Sequence, residues 1–414
     1  MSKEEHFVVI GAGHAGGVAV QSLRNFGHEG RITLIGEEAT LPYERPPLSK
    51  DLLHSPNDSE FQLIRDAVYY NDLNIDILLK KTAVSIDADA QLVVLNNGES
   101  IHYDKLLLTT GGRPQTLDLP GSELKNIFTL RTIEDSRAVE SKLHKGARIL
   151  IVGGGFIGLE VAASARMRGA EVVILEANSR LMGRTLPAEV SDVFLKLHTD
   201  NHISVRLNQS VKEFLGKNEV QEVTTNSGEK FEADAVIVGI GILPETDLAE
   251  SAKIKIDNGI VVDEFARTSN PFIFAAGDNT NHFNPMLERH IRLEAWLNAQ
   301  EQALAAARTM CNELKAYNKL PWMWTDQFDV NLQIAGFTEK WDNLVIRGDI
   351  TGRDCTAFQV EGGIIKSALS INRPRDMRVA RRMISAQLPF SEPDLKDDNI
   401  SLRDLLKRAK SRKD

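Results

Sequence analysis

Six glycines and two glutamates carry the first chemical signal. The run Gly153-Gly154-Gly155-Phe156-Ile157-Gly158 follows the apolar segment 149–152, and a second apolar segment, 172–175, stops at Glu176. A tight glycine turn that opens a helix binds phosphate, because the helix N-terminus offers unpaired N–H groups and the positive end of its dipole. In such a turn Gly153 permits the bend, Gly155 lets a pyrophosphate approach the backbone, and Gly158 lets the helix pack on the strand. Glu176 follows Gly153 by 23 residues, close to the spacing of about 20 expected of a ribose-binding acid. It would accept from both adenosine ribose hydroxyls and repel a 2′-phosphate, so NADH is expected over NADPH. Arg180 would soften that preference.

One such motif also occurs as a plain glycine-rich turn. Here there is another copy: the segment 7–10 leads into Gly11-Ala12-Gly13-His14-Ala15-Gly16, then the run 32–35 and Glu37, 26 residues after Gly11. The likeness extends further. Asn97-Gly98 and Ser227-Gly228 are turn signals, and each precedes by 13 residues the glycine, Gly111 or Gly241, that closes a buried strand. The elements that must position these loops therefore form two copies of one α/β nucleotide-binding fold, the second inserted into the first. The expected division is 1–112 with 245–318 for the first domain, 113–244 for the second, and 319–414 for a C-terminal α+β domain.

Between the loops, Pro46-Pro47 excludes helix interior and central strand and stiffens a connector, with a short helix expected from Leu48 or Ser49. That connector either holds Arg45 and Lys50 over a cofactor or is a rigid surface link. Helices are expected over 132–145, 188–201 and 292–313, and an apolar strand ends at Gly277-Asp278. Beyond Pro321 strands are expected near 328–336, 343–348, 355–361 and 364–370, with helices at 374–387 and 401–411. This C-terminal domain carries Arg373, Arg375, Arg378, Arg381 and Arg382, then Arg403, Lys407, Arg408, Lys410, Arg412 and Lys413, in two clusters on either side of an acidic stretch, 392–398. Such runs are either solvated helix faces or a directional field for a partner.

The 414 residues allow two or three domains with full cores, and 42% hydrophobic with 26% charged residues describes a water-soluble globular chain. A net charge of −9 argues against nucleic acid as the main partner. No apolar run approaches the roughly 18 residues of a membrane span, and a first strand beginning near residue 6 argues against a secretory leader. Cys311 and Cys355 are the two cysteines; they form no Cys-x-x-Cys, so neither a metal site nor a redox disulfide is expected, and a cytoplasmic location is.

Taken together, Gly11–Gly16, Pro42-Tyr43-Glu44-Arg45-Pro46-Pro47-Leu48-Ser49-Lys50, Thr110-Gly111-Gly112-Arg113-Pro114, 153–160, Gly277-Asp278, 292–296 and 321–327 make the chain resemble the FAD-dependent, NADH-oxidising ferredoxin reductases that serve aromatic-ring dioxygenases and bacterial cytochromes P450. The resemblance covers nearly the whole chain and implies a glutathione-reductase-like pair of Rossmann domains. It implies FAD in the first, held by Gly11, Gly13, Ala15, Gly16, Glu37, Arg45, Lys50, Val84, Thr110, Gly111, Arg131, Gly277, Asp278, Glu294, Ala295 and Trp296. It implies NADH in the second, held by Gly153, Gly155, Phe156, Ile157, Gly158, Glu160, Glu176, Arg184 and Gly241. Lys50 would lie near flavin N5, paired with Glu160 while nicotinamide is absent. Trp324 would lie near the docking surface for a [2Fe–2S] ferredoxin, on a basic face with Arg292 and the C-terminal arginines; otherwise it is a core tryptophan. The same motifs fit rubredoxin reductases, monodehydroascorbate reductase, NADH oxidases and, outside turnover enzymes, an NADH-sensing protein like apoptosis-inducing factor. The missing thiol pair argues against disulfide reductases. Monomer and dimer both stay open.

Overall fold

The computed structural model describes residues 5–55 and 61–411, so Arg412 and Lys413 lie outside the described residues. The chain divides into two compact units, one of residues 5–45, 61–113 and 243–321, the other of 46–55, 114–242 and 322–411.

In the first unit a parallel sheet runs in the order Ile273–Ala275, Lys105–Leu108, Phe7–Ile10, Ile32–Ile35, Ile75–Leu78. Both faces are covered, which is why the strands read as unbroken apolar runs. Phe7, Val9, Ile32, Leu34 and Leu107 belong to one core with the helices His14–Asn25 and Trp296–Met310; Val8, Ile10, Leu106 and Leu108 belong to a core on the other face. An antiparallel ribbon, Ala83–Asp87, Leu92–Leu95 and Ser100–His102, turns at Gly98, where φ is +84°.

The second unit repeats this plan. Its parallel sheet runs Ile127–Phe128, Ala235–Val238, Arg148–Val152, Glu171–Glu176, Ser204–Leu207, with its own antiparallel ribbon of Val211–Gly216, Val220–Thr225 and Lys230–Glu232. Read in matching order, each copy places the phosphate-loop strand third of five, with the glycine-terminated strand on one side and the acid-terminated strand on the other. To this the second unit adds an antiparallel sheet in the order Trp322–Gln327, Val330–Gly336, Ile364–Ile371, Asp354–Glu361, Asn343–Asp349. Val330, Leu332, Leu369 and Ile371 join one core with Ile149, Leu159 and Ala162, so the C-terminal sheet and the second nucleotide-binding sheet share a hydrophobic interior.

Several boundaries differ from expectation. The helix expected over 132–145 ends at Glu140; Thr132 and Asp135 form a capping box at its start, and the chain then tightens through Lys142 N–H to Val139 and Leu143 N–H to Glu140. The helix expected over 292–313 spans Trp296–Met310: the chain leaves the strand Arg289–Ile291, paired with Thr280–Asn284, and is still extended at the N-cap Ala295 (φ −146°, ψ 139°), and Asn312, at φ +63°, closes the other end. The turn at Pro46-Pro47 is itself 3₁₀-helical, Pro46–Ser49, followed by Asp51–His54; prolines are tolerated there because a first turn needs no N–H donors. The strand expected from 328 begins at Val330, since Phe328 is left-handed (φ +55°) in a hairpin turn, and an unforeseen strand, Trp322–Gln327, precedes it. Among the described residues no helix is long and apolar enough to cross a membrane.

Candidate nucleotide sites and a buried charge cluster

The two glycine loops have the same geometry. Gly11 and Gly153 have φ of +106° and +107°. A Cβ on either would lie 2.3 Å from the Thr109 carbonyl or 2.5 Å from that of Gly239. At Gly16 and Gly158 it would lie 1.9 Å from the Gly11 carbonyl and 2.2 Å from the Gly153 carbonyl. These outer glycines are demanded by the fold itself. The middle ones are not: Gly13 would meet only Arg45, at 3.5 Å, and Gly155 only Gly239, at 3.8 Å. Both are extended helix N-caps with no side-chain cap. An open cradle with free N–H donors at a helix start, bordered by a residue that needs no glycine for its own packing, fits a dinucleotide pyrophosphate.

The two acids expected to meet a ribose differ in setting. Glu37 is exposed just beyond its strand. Glu176 is buried and already oriented: Gly154 N–H donates to Oε2 at 2.6 Å, while the Asn178 backbone and side-chain amides donate to Oε1 at 2.7 and 2.6 Å. Asn178 was not anticipated from the sequence. Arg184 approaches Gly241, where φ is +114° and a Cβ would be 3.6 Å from its guanidinium. Phe156 and Ile157 begin the helix after the second loop, Ile157 exposed.

Around the first loop, Ala15 packs against Gly277, whose N–H donates to Gln302 Oε1 at 2.9 Å. Thr110 Oγ1 donates to the Glu245 carbonyl and accepts from Asn279, and the Gly111 carbonyl accepts from Glu245 N–H. Arg45 pairs with Glu38 at 2.6 Å and lies over the Tyr43 ring, with Asp278 within electrostatic reach. Trp296, first residue of its helix after the N-cap Ala295, donates its indole N–H to Glu44, and the His14 ring lies 4.8 Å from the indole. Burial opposes ionisation of Glu44, but the His14 ring, its Nδ1 3.4 Å from Oε2, and the hydrogen bond from Trp296 outweigh it and hold the carboxyl below its ordinary range. Glu44 and His14 were missed; both sit inside recognised motifs, yet nothing in their spacing marks them. Arg292 is 17% exposed and paired with Glu294. Val84 is exposed at an irregularity of its ribbon.

In the second unit, Lys50 and Glu160 come together. Lys50 Nζ lies 3.3 Å from Glu160 Oε1 and 3.6 Å from Asp326 Oδ2, and 5.5 Å from the Trp324 ring centre. Glu160 also accepts from Thr325 Oγ1, at 2.6 Å, and from the Ser49 hydroxyl. Burial pushes Glu160 up from the usual carboxyl range, while Lys50 and both hydroxyls pull it back. Ser49 is fixed in turn, its carbonyl accepting from Ser164 Oγ. Trp324 stacks on Trp322 at 5.2 Å, and Trp322 lies under Arg381. Arg131, in this unit too, donates its backbone N–H to Asp135.

The C-terminal basic residues fall into two kinds. Arg375, Arg378 and Arg382 are exposed on the helix Pro374–Ala386, as are Arg403, Lys407, Arg408 and Lys410 on Leu402–Ser411, which packs against it. Arg373 faces inward, paired with Asp354 and Asp398, so part of the acidic stretch is consumed in holding the fold.

With this geometry in view, comparison with known proteins defines the class. Residues 5–303 match the pyridine nucleotide-disulphide oxidoreductase family and residues 322–406 the reductase C-terminal family. Rhodocoxin reductase of Rhodococcus erythropolis is 39% identical over 97% of this chain and 95% of its own length. The ferredoxin–NAD(+) reductase component of the anthranilate 1,2-dioxygenase system of Burkholderia cepacia is 38% identical over 97% and 99%. The solved covalent complex of putidaredoxin reductase with putidaredoxin contains a chain that superposes with a TM-score of 0.95, at 32% identity, over 99% of this chain and all of that one. The chain belongs to the pyridine nucleotide-disulphide oxidoreductases, in the group of ferredoxin–NAD(+) reductases that serve oxygenase systems. FAD and NAD(H) are the cofactors of that group, and the open middle glycines fit them.

Proposed function

We propose that this protein is an NADH-dependent flavoenzyme that passes electrons singly to a [2Fe–2S] ferredoxin feeding an oxygenase. The observation that carries the nucleotide half is the pair of equivalent glycine cradles, each with a middle glycine that the fold alone does not require. The acceptor half is supported by the named roles of the relatives, dioxygenase-system reductase components and a reductase solved with its ferredoxin.

When bound, FAD would supply the hydride acceptor for NADH and the one-electron release that a ferredoxin needs. The chain's own residues bind and orient. Gly11, Gly13, Ala15 and Gly16 hold the FAD diphosphate and Glu37 its ribose. Arg45, Val84, Thr110, Gly111, Arg131, Gly277, Asp278, Glu294, Ala295 and Trp296 complete that assignment. Gly153, Gly155, Phe156, Ile157, Gly158, Arg184 and Gly241 hold NADH, and Glu176 selects it over NADPH. Lys50 acts as an electrostatic stabiliser of the negative charge that reduction adds, with Glu160 as its resting partner. The exposed arginines of 374–386 and 402–411 attract an acidic ferredoxin toward Trp324. We assign it to the cytoplasm, where NADH is available.

The test is steady-state NADH oxidation against a panel of acceptors: a [2Fe–2S] ferredoxin, a rubredoxin and dioxygen. Ferredoxin is expected to be reduced at least tenfold faster than the others. Preference for rubredoxin or oxygen would replace the acceptor while leaving the nucleotide assignment intact.

A further inference from the structure

Lys50 is shared by two carboxylates of opposite character. Glu160 has 5% of its side chain exposed and both oxygens occupied by hydroxyl donors; Asp326 has 45% exposed. Asp326 is nevertheless fixed. Its Oδ1 accepts from Asn331 Nδ2 at 2.6 Å, the residue directly opposite it in the adjoining strand. Its Oδ2, the oxygen that faces Lys50, also accepts from the indole N–H of Trp324 at 3.1 Å. One carboxylate oxygen thus ties together the ammonium and the indole, while the same ammonium lies over that indole's ring.

We propose that Asp326 is a positioning residue that couples Trp324 to the charge at Lys50. While the indole N–H and the ammonium share Oδ2, the indole cannot turn away without loosening the ammonium's second counter-ion. Whatever presses on Trp324 therefore changes how much of the Lys50 charge is neutralised. The inference rests on the reading that Lys50 faces the flavin and Trp324 the acceptor, and it adds a link between them. Asp326 touches no reacting atom; it acts through its two neighbours.

Two substitutions separate charge from tether. Asp326→Asn removes the negative charge and, with its one carbonyl oxygen toward the indole, keeps that acceptor while giving up the bond from Asn331. With Lys50 less neutralised, the flavin midpoint potential should rise by roughly 30 mV, about tenfold in the two-electron equilibrium. Asp326→Ala removes both, so the potential should rise similarly and, in protein labelled with ¹⁵N-tryptophan, one indole N–H resonance should shift that is absent from Trp324→Phe. Addition of a [2Fe–2S] ferredoxin should move the potential of the parent enzyme and leave that of Asp326→Ala unmoved. Lys50→Met is the control. If Lys50→Met changes the potential and Asp326→Asn does not, the coupling is wrong and the role of Lys50 stands. If neither changes it, both fall.

Discussion

The hydroxyl of Thr325 donates to Glu160 at 2.6 Å across 165 residues of sequence, and so brings the first strand of the C-terminal sheet to bear on a carboxylate of the second phosphate-loop helix. That contact, with Ser49 on the other oxygen and Lys50 at 3.3 Å, makes a buried charge tolerable: each polar atom brought inside has a partner. It also sets what should happen when a member is removed.

Lys50→Met should slow flavin reduction by NADH tenfold or more in stopped-flow mixing, with FAD content unchanged. Unchanged rates would remove Lys50 from the reaction.

The same variant should show a pH-dependent loss of stability. Glu160 titrates above its ordinary value because it is buried, and loss of Lys50 raises it further. A carboxyl whose folded pKa lies above its unfolded one is bound by the proton more tightly in the folded state. Stability is therefore fullest below the unfolded value, near 4.5, and falls as pH rises through the folded pKa. Thermal unfolding should find Lys50→Met closest to the parent at acid pH and progressively further below it as pH rises; a gap constant with pH would contradict the burial argument.

His198 gives the opposite slope. It is fully buried, its Nε2 bonded to Gln327 Oε1 at 2.9 Å, and burial pushes its pKa down to about 4 from 6.5. The unfolded chain then takes up a proton that the folded chain refuses. Stability is intact above about 6.5 and drains as pH falls toward 4, by at most about 3 kcal/mol. His198→Leu should flatten the fall in melting temperature over that window; an unaltered slope would assign the acid sensitivity elsewhere.

The glycines make a contrast that activity alone would not. Gly155→Ala should fold and keep its FAD, yet raise the KM for NADH tenfold or more, while Gly13→Ala should fold and lose FAD. Gly158→Ala, whose Cβ would meet a carbonyl at 2.2 Å, should damage the fold itself. Normal cofactor affinity in the Gly13 and Gly155 variants would show that nothing approaches those loops.

Those glycines also explain how much could be read from the sequence. Gly11, Gly16, Gly153 and Gly158 are imposed by backbone geometry, so their spacing announced both copies of the fold, and Gly98 and Gly228 announced the ribbons. The charge cluster was only half legible. Lys50 and Glu160 were expected together, but Ser49 and Thr325 reach Glu160, and Asp326 reaches Lys50, across folds of the chain that no periodicity encodes. The strand Trp322–Gln327 lacks apolar alternation because its inward residues, Thr325 and Gln327, are polar and satisfied by Glu160 and His198. Likewise the acidic stretch near Asp398 reads as a separator but is spent on Arg347 and Arg373.

Glu176→Ala should lower the NADH-to-NADPH selectivity ratio tenfold or more, and Asn178→Ala, which frees the Glu176 carboxylate rather than removing it, should lower it less. A constant ratio in both would assign selectivity to another residue.

The most direct measurement of the central claim is an anaerobic titration of the FAD-loaded enzyme with NADH, followed by visible absorption, then addition of an oxidised [2Fe–2S] ferredoxin. One equivalent of NADH should bleach the flavin band, and ferredoxin should restore it rapidly, with two ferredoxins reduced per flavin. A flavin that bleaches but stays reduced when ferredoxin is added would contradict the claim.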